Sequence, residues 1–219
     1  MLALTSALAK VPAALNAVES APLLCAGVTT FNALRHCGAG AGELVAVLGV
    51  GGLGHLAIQY AARQGFRVVA VNRGRDKEEL ARSLGAHDYI DNAATDPATA
   101  LQAMGGAKAI LATVTSAQAM QAIAGGLGPN GTMMMIGAVG PVTVDQIALL
   151  NKSASVRGWY SGTAPDSEDT LAFSELAGVA SMNEIFPLDQ AQAAYDRMMS
   201  GAARFRVVLD MGAQHLGAQ

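Results

Sequence analysis

The sequence predicts an α/β fold: a doubly wound, six-stranded parallel sheet with helices on both faces. Three observations predict it. From Glu43 onward, short apolar and β-branched runs alternate with helical stretches; the first run is apolar at every position; and a glycine-rich bend joins that run to the first helix. A chain of 219 residues, 52% hydrophobic and 14% charged, supplies one large core but is short for two complete domains.

The elements follow in order. Leu44–Leu48 suits a strand buried on both faces. A helix then runs from Leu53 to Gln64, with Gly65 just past its end. Arg67–Val71 is the second strand. Asp76 opens the next helix, with Glu79 placed to complete a capping box and Gly85 closing it. Asp88–Ile90 is a short third strand, residues 98–104 a helix, and Lys108–Thr113 a fourth strand. Ser116 caps a helix that ends at Gly125-Gly126, and Pro129-Asn130-Gly131 turns into the fifth strand, Thr132–Ile136. Ser155–Tyr160 is a sixth, at the sheet edge. Outside this unit, residues 1–40 hold leucine-rich helical stretches interrupted by Pro12 and Pro22. Beyond Met182, a helix over Leu188–Met199 and a strand over Phe205–Leu209 break the alternation.

The bend after the first strand reads Gly49-Val50-Gly51-Gly52-Leu53-Gly54. With 25 glycines in the chain, the spacing alone is weak, but strand, loop and helix in that order make the fingerprint of a Rossmann dinucleotide site. Gly49 permits the tight turn, Gly51 lets backbone approach a pyrophosphate, and Gly54 lets the helix pack close to the strand. The helix start offers unpaired N–H groups to phosphate. At the end of the second strand, where an NAD site usually has an acidic residue, stands Asn72, followed by Arg73, Gly74 and Arg75. A neutral amide beside two guanidinium groups favours NADP over NAD, since arginine pairs with a 2′-phosphate. The plainer alternative is that both arginines are solvated loop charges.

Composition excludes other classes. The net charge is −3 with scattered basic residues, which leaves no footprint for nucleic acid. No apolar run approaches the ~20 residues of a membrane span. Two cysteines, Cys25 and Cys37, form no disulfide framework, and the start lacks the basic residues of a signal peptide, so a cytoplasmic setting is expected.

The stretch Ala21–Thr30, the glycine loop, Lys77–Ala86 and the closing Gly201–Leu209 together resemble the zinc-dependent alcohol dehydrogenases of the medium-chain dehydrogenase/reductase superfamily, over essentially the whole chain. The resemblance implies that Cys25 is a ligand of the catalytic zinc and that Thr29 sits beside the nicotinamide. It implies that Arg206 pairs with the cofactor pyrophosphate, and that Gly137, Ala138 and the backbone around Trp159 meet the carboxamide. Together with Gly49, Gly51, Gly52, Leu53, Gly54, Asn72, Arg73 and Arg75, these are the candidate cofactor residues. Unaided, Cys25 would read as a small core residue and Arg206 as a strand-end charge. His55 reads as a helix-start histidine near phosphate, with proton transfer the bolder alternative; His36, His87, His215 and Cys37 read as structural or exposed.

The resemblance also implies divisions at 1–20, a remnant of a GroES-like catalytic domain; 21–181, the Rossmann domain; and 182–219, a segment returning to the catalytic domain. The other zinc ligands have no counterpart here. A catalytic zinc needs three protein ligands and an open position, so zinc is expected only in an intact enzyme, acting on an alcohol or aldehyde. A homodimer or homotetramer joined along residues 155–160 is expected. Two alternatives stand beside this: a non-catalytic NADP(H)-binding module, and a zinc-independent quinone or enoyl reductase of the same superfamily, against which Cys25 argues. A methyltransferase would share the glycine loop but not the Arg206 segment.

Overall fold

The computed structural model describes residues 2–212. Six strands form one parallel sheet: β1 (Leu44–Leu48), β2 (Arg67–Asn72), β3 (Asp88–Asp91), β4 (Ala107–Ala112), β5 (Leu127–Met135) and β6 (Ser155–Gly158). Their spatial order is β3-β2-β1-β4-β5-β6. The chain winds outward from β1 in one direction, then returns and winds in the other, leaving a crevice at the carboxyl ends of β1 and β4 where the order reverses.

Side-chain alternation along β1 feeds two cores. Val45 and Val47 join the apolar cluster on one face, while Leu44, Ala46 and Leu48 join that on the other. All five are buried, which is why the strand carries no polar residue. Helices α1 (Ala17–Pro22), α2 (Val28–Arg35) and α3 (Gly54–Arg63) come next in the account, followed by α4 (Glu78–Ser83), α5 (Pro97–Ala103) and α6 (Ala117–Ala124). The expected cap holds at α6, where Ser116 accepts from the Ala119 N–H at 3.3 Å.

Other expectations need correction. The helix after β2 starts at Glu78, not Asp76, and no side chain caps it. Glu78 is instead drawn into ion pairs with Arg75 and Arg82. Pro22 does not interrupt the N-terminal helix: helical backbone is continuous from Ala17 through a wide turn at Leu23–Gly27 to Arg35. Proline offers no N–H to the carbonyl of Val18 four residues earlier. That carbonyl is satisfied by the side-chain amide of Asn183, which donates to it at 3.0 Å. The turn Pro129–Gly131 lies inside β5, with Asn130 at φ 53°, and the pairing register with β4 shifts there.

Two helices were not expected: α7 (Gln146–Lys152), capped by Asp145, and α8 (Ala164–Ala177), opened by a full capping box between Thr163 and Asp166. Beyond Met182 the chain forms β7 (Asn183–Pro187), a short 3₁₀ turn, α9 (Ala191–Met199) and β8 (Arg206–Asp210). β7 and β8 pair in parallel as a separate two-stranded sheet, so the expected helix begins three residues late and a further strand precedes it. Its outward apolar residues, Ile185, Leu209 and Tyr195 among them, are exposed. Among the described residues, no helix is long and apolar enough to cross a membrane.

Candidate dinucleotide site

The glycine loop occupies the crevice between β1 and β4. Gly49 has φ +97°, in the left-handed region, and a Cβ there would lie 2.7 Å from Val114 Cγ1. A Cβ at Gly54 would overlap the Gly49 carbonyl oxygen, so only glycine lets α3 start this close to β1. Gly51 is different. A Cβ built there meets nothing within 4 Å, so the backbone faces open space. Leu53 stands at the N-cap of α3 without a side-chain cap, which leaves helix N–H groups directed to the loop.

Arg206, from the first position of β8, completes this concavity. Its Nη1 lies 3.0 Å from where a Gly52 Cβ would be, and its backbone is held by the Met182 carbonyl at 2.9 Å. The Arg206 cation thus stands against the Gly52 backbone, beside the open space at Gly51, a donor set suited to a diphosphate. Lys77 joins them, a residue that sequence reasoning passed over. Its Nζ donates to the Val50 carbonyl at 2.9 Å, and its side chain lines the loop cleft with Gly51 and Gly52. Burial and the neighbouring Arg204 hold its pKa below the ordinary lysine value. The available signal was a lysine just after Arg75, hidden by reading Asp76 as a cap.

A cleft of about 540 Å³ continues from Gly49 along the end of β2, lined by Asn72, Arg73, Pro97 and Ser116. Asn72 braces the loop: its Oδ1 accepts from the Val50 N–H at 3.1 Å. Arg73 is exposed and makes no ion pair among the described residues, whereas Arg75 is held 2.7 Å from Glu78. The two arginines, alike in sequence, are therefore unlike in availability.

Toward the other end of the sheet, Gly137 follows β5 with its N–H on the Ala112 carbonyl at 3.0 Å, and Ala138 is exposed beside it. Thr29 Oγ1 lies 2.7 Å from the Cys25 carbonyl and 3.3 Å from that of Tyr160, and Asn32 donates to the Ser161 carbonyl at 3.1 Å. These contacts tie α2 to the segment after β6. Trp159 stacks on His36 at 4.7 Å between ring centroids, with the Arg157 guanidinium 4.7 Å from its ring. Cys25 is exposed, and among the described residues no three His, Cys, Asp or Glu side chains come together. These residues do not assemble a zinc site.

His55, at the second position of α3 beside the glycine loop, is fully buried. Its Nε2 accepts the Met182 N–H at 3.1 Å, so Nδ1 carries the proton and donates to the Gly51 carbonyl at 2.9 Å. Burial first, and the Arg206 charge with it, pull its pKa down to about 4, so it is neutral at pH 7 and its one N–H is committed to the Gly51 carbonyl. His87 is structural, accepting the Val68 N–H, and Cys37 is buried, which pushes its thiol pKa up. His215 lies outside the described residues.

Comparison with known proteins agrees with this architecture. Residues 52–177 match the model of the family described as zinc-binding dehydrogenase. Alcohol dehydrogenase patD of Penicillium expansum is 48% identical over 201 residues, which cover 92% of this chain and 59% of that relative. A solved structure of an alcohol dehydrogenase from Sinorhizobium meliloti superposes with a TM-score of 0.85 at 27% identity, covering 92% of this chain and 60% of that one. The structure of CAD from Helicobacter pylori complexed with NADP(H) gives a TM-score of 0.74 at 27% identity, over 87% of this chain and 54% of that one. The chain thus spans less than two thirds of the length of these relatives. On the family match over more than half its residues, the chain belongs to the zinc-binding dehydrogenases.

Proposed function

We propose that this chain is the cofactor-binding part of a zinc-dependent alcohol dehydrogenase, holding NADP in preference to NAD for hydride transfer with an alcohol or aldehyde. The observation that carries this reading is the unfilled space over Gly51, faced by the Arg206 guanidinium at Gly52. The amides of the loop and the start of α3 hold the diphosphate, Arg206 neutralises it, and Arg73 takes the 2′-phosphate. Gly137, Ala138 and the backbone at Trp159 orient the carboxamide, and Thr29 supports that wall. When bound, the nicotinamide supplies C4 as hydride donor or acceptor. Cys25 offers one thiolate toward zinc. Because the described residues bring no further ligands to it, no step is assigned to the metal. That same observation favours a second reading, a module that binds NADP(H) without turnover.

The exposed edge of β6 and the apolar Ile147 and Leu150 of α7 support self-association along this side of the sheet, and two free cysteines suit a reducing compartment. The test of the central reading is a titration of the single tryptophan, Trp159, with NADPH and NADH. NADPH is expected to bind more tightly, and Gly51→Val to abolish binding while the fold survives. Tighter NADH binding overturns the NADP preference. No affinity for either nucleotide, or full affinity in Gly51→Val, overturns the whole reading.

A further inference from the structure

We propose that His55 is a positioning residue for the dinucleotide: its imidazole sets the glycine-loop amides at the distance from Arg206 that a single diphosphate bridges. The inference rests on the cofactor-binding reading above and explains why a buried histidine stands between the two halves of that site.

Four hydrogen bonds form one unbroken path. Nδ1–H of His55 donates to the Gly51 carbonyl at 2.9 Å, and the Met182 N–H donates to Nε2 at 3.1 Å. The Met182 carbonyl in turn accepts the N–H groups of Phe205 and Arg206, each at 2.9 Å. The path therefore runs from the peptide after Gly51, which borders open space, to the backbone of the arginine whose guanidinium stands at Gly52. Fixing the Gly51 carbonyl inward turns the following N–H outward. Fixing Met182 places β8, and with it the guanidinium. Packing supports the tilt of the ring, which lies 5.0 Å from the Phe205 ring centroid. The charge that acts on the ring is the Arg206 guanidinium of β8, and the Phe205 ring beside it is flanked by Lys77 at 5.6 Å and Arg204 at 5.7 Å. Burial and the neighbouring cation favour the neutral ring, and only a neutral ring can donate at one nitrogen and accept at the other.

The path needs one donor and one acceptor on the same side chain. Phenylalanine keeps the shape and loses both bonds; glutamine retains one donor and one acceptor on a side chain of similar reach. A role confined to packing predicts that phenylalanine suffices and that any loss is independent of Arg206.

The experiment uses the full chain and ADP, which carries the diphosphate without the nicotinamide, in isothermal titration. His55→Phe is expected to weaken ADP about tenfold, Arg206→Ala at least as much, and the double variant no more than Arg206→Ala alone, the mark of two residues acting through one contact. His55→Gln is expected to restore most of the affinity. Unchanged affinity in His55→Phe, or losses that multiply in the double variant, overturns the proposal while leaving cofactor binding intact. A wild-type chain that binds neither ADP nor NADPH overturns the cofactor reading itself, and this proposal with it. Should His55→Phe fail to fold, long-range ¹H–¹⁵N NMR of the wild type decides: the Nδ1–H tautomer is expected at pH 7, and an Nε2–H tautomer would leave Met182 without its acceptor and overturn the path.

Discussion

The β1–β4 centre of the large sheet and the β7–β8 pair are both parallel strands of similar length, yet they are built on opposite principles. At the centre, every residue of β1 is buried and both faces are covered by helices. In the two-stranded sheet only Val208 of β8 is buried, and Ile185 and Leu209 are left exposed. The contrast teaches where stability and where binding reside. The centre holds the fold together, and the pair delivers Arg206 to the loop that the centre holds rigid. A site assembled between them needs stiffness on one side and correct placement on the other.

Substitutions can break this contrast in order of effect. Gly54→Val is expected to be the most damaging, at roughly 4 kcal/mol or more, because its Cβ must displace the Gly49 carbonyl. Urea unfolding would measure it, and a mild loss would mean the α3–β1 junction is softer than described. Next, Leu111→Ala in β4 should cost about 3 kcal/mol through transfer and cavity terms. Ile185→Ala in β7 should cost under about 0.5 kcal/mol in the same assay. Equal losses would erase the distinction between the two sheets.

The joint between the regions has a pH signature. His55 has its folded-state pKa depressed to about 4 from 6.5, so between those values the unfolded chain binds more protons and stability falls as pH falls. The shift corresponds to about 3 kcal/mol, present above pH 6.5 and lost as the pH drops through 4. Denaturation between pH 7 and pH 4 should show that decline, and His55→Phe should flatten it; an unaltered slope in the variant would assign the decline to other groups. A smaller effect than the loss of core packing is expected on nucleotide choice. Arg73→Ala should weaken NADPH about tenfold with little change for NADH, since a single 2′-phosphate contact is removed. Arg75→Ala should do neither, because Glu78 already holds that guanidinium.

Much of the central sheet was legible because burial on both faces leaves a direct trace: runs such as Leu44–Leu48 and Lys108–Thr113 have no polar face to hide. The glycine loop was legible for a similar reason, since close approach and positive φ restrict residue type. β7 left no such trace, because a half-exposed Asn-Glu-Ile-Phe-Pro segment has neither an apolar run nor clean alternation. α8 carried a readable signal in Thr163 and Asp166 that reasoning did not use. The roles of His55 and Lys77 depend on partners 127 and 27 residues away, and no local pattern encodes those. The similarity of Arg73 and Arg75 likewise concealed that only one is committed to an ion pair.

Asn183 donating to the Val18 carbonyl, across 165 residues of chain, has a consequence for synthesis. The helix carries a carbonyl that its own proline cannot satisfy, and the missing donor is synthesised 165 residues after it. Until Asn183 arrives that turn must rely on water, so the helix is completed only after a segment far along the chain has been made.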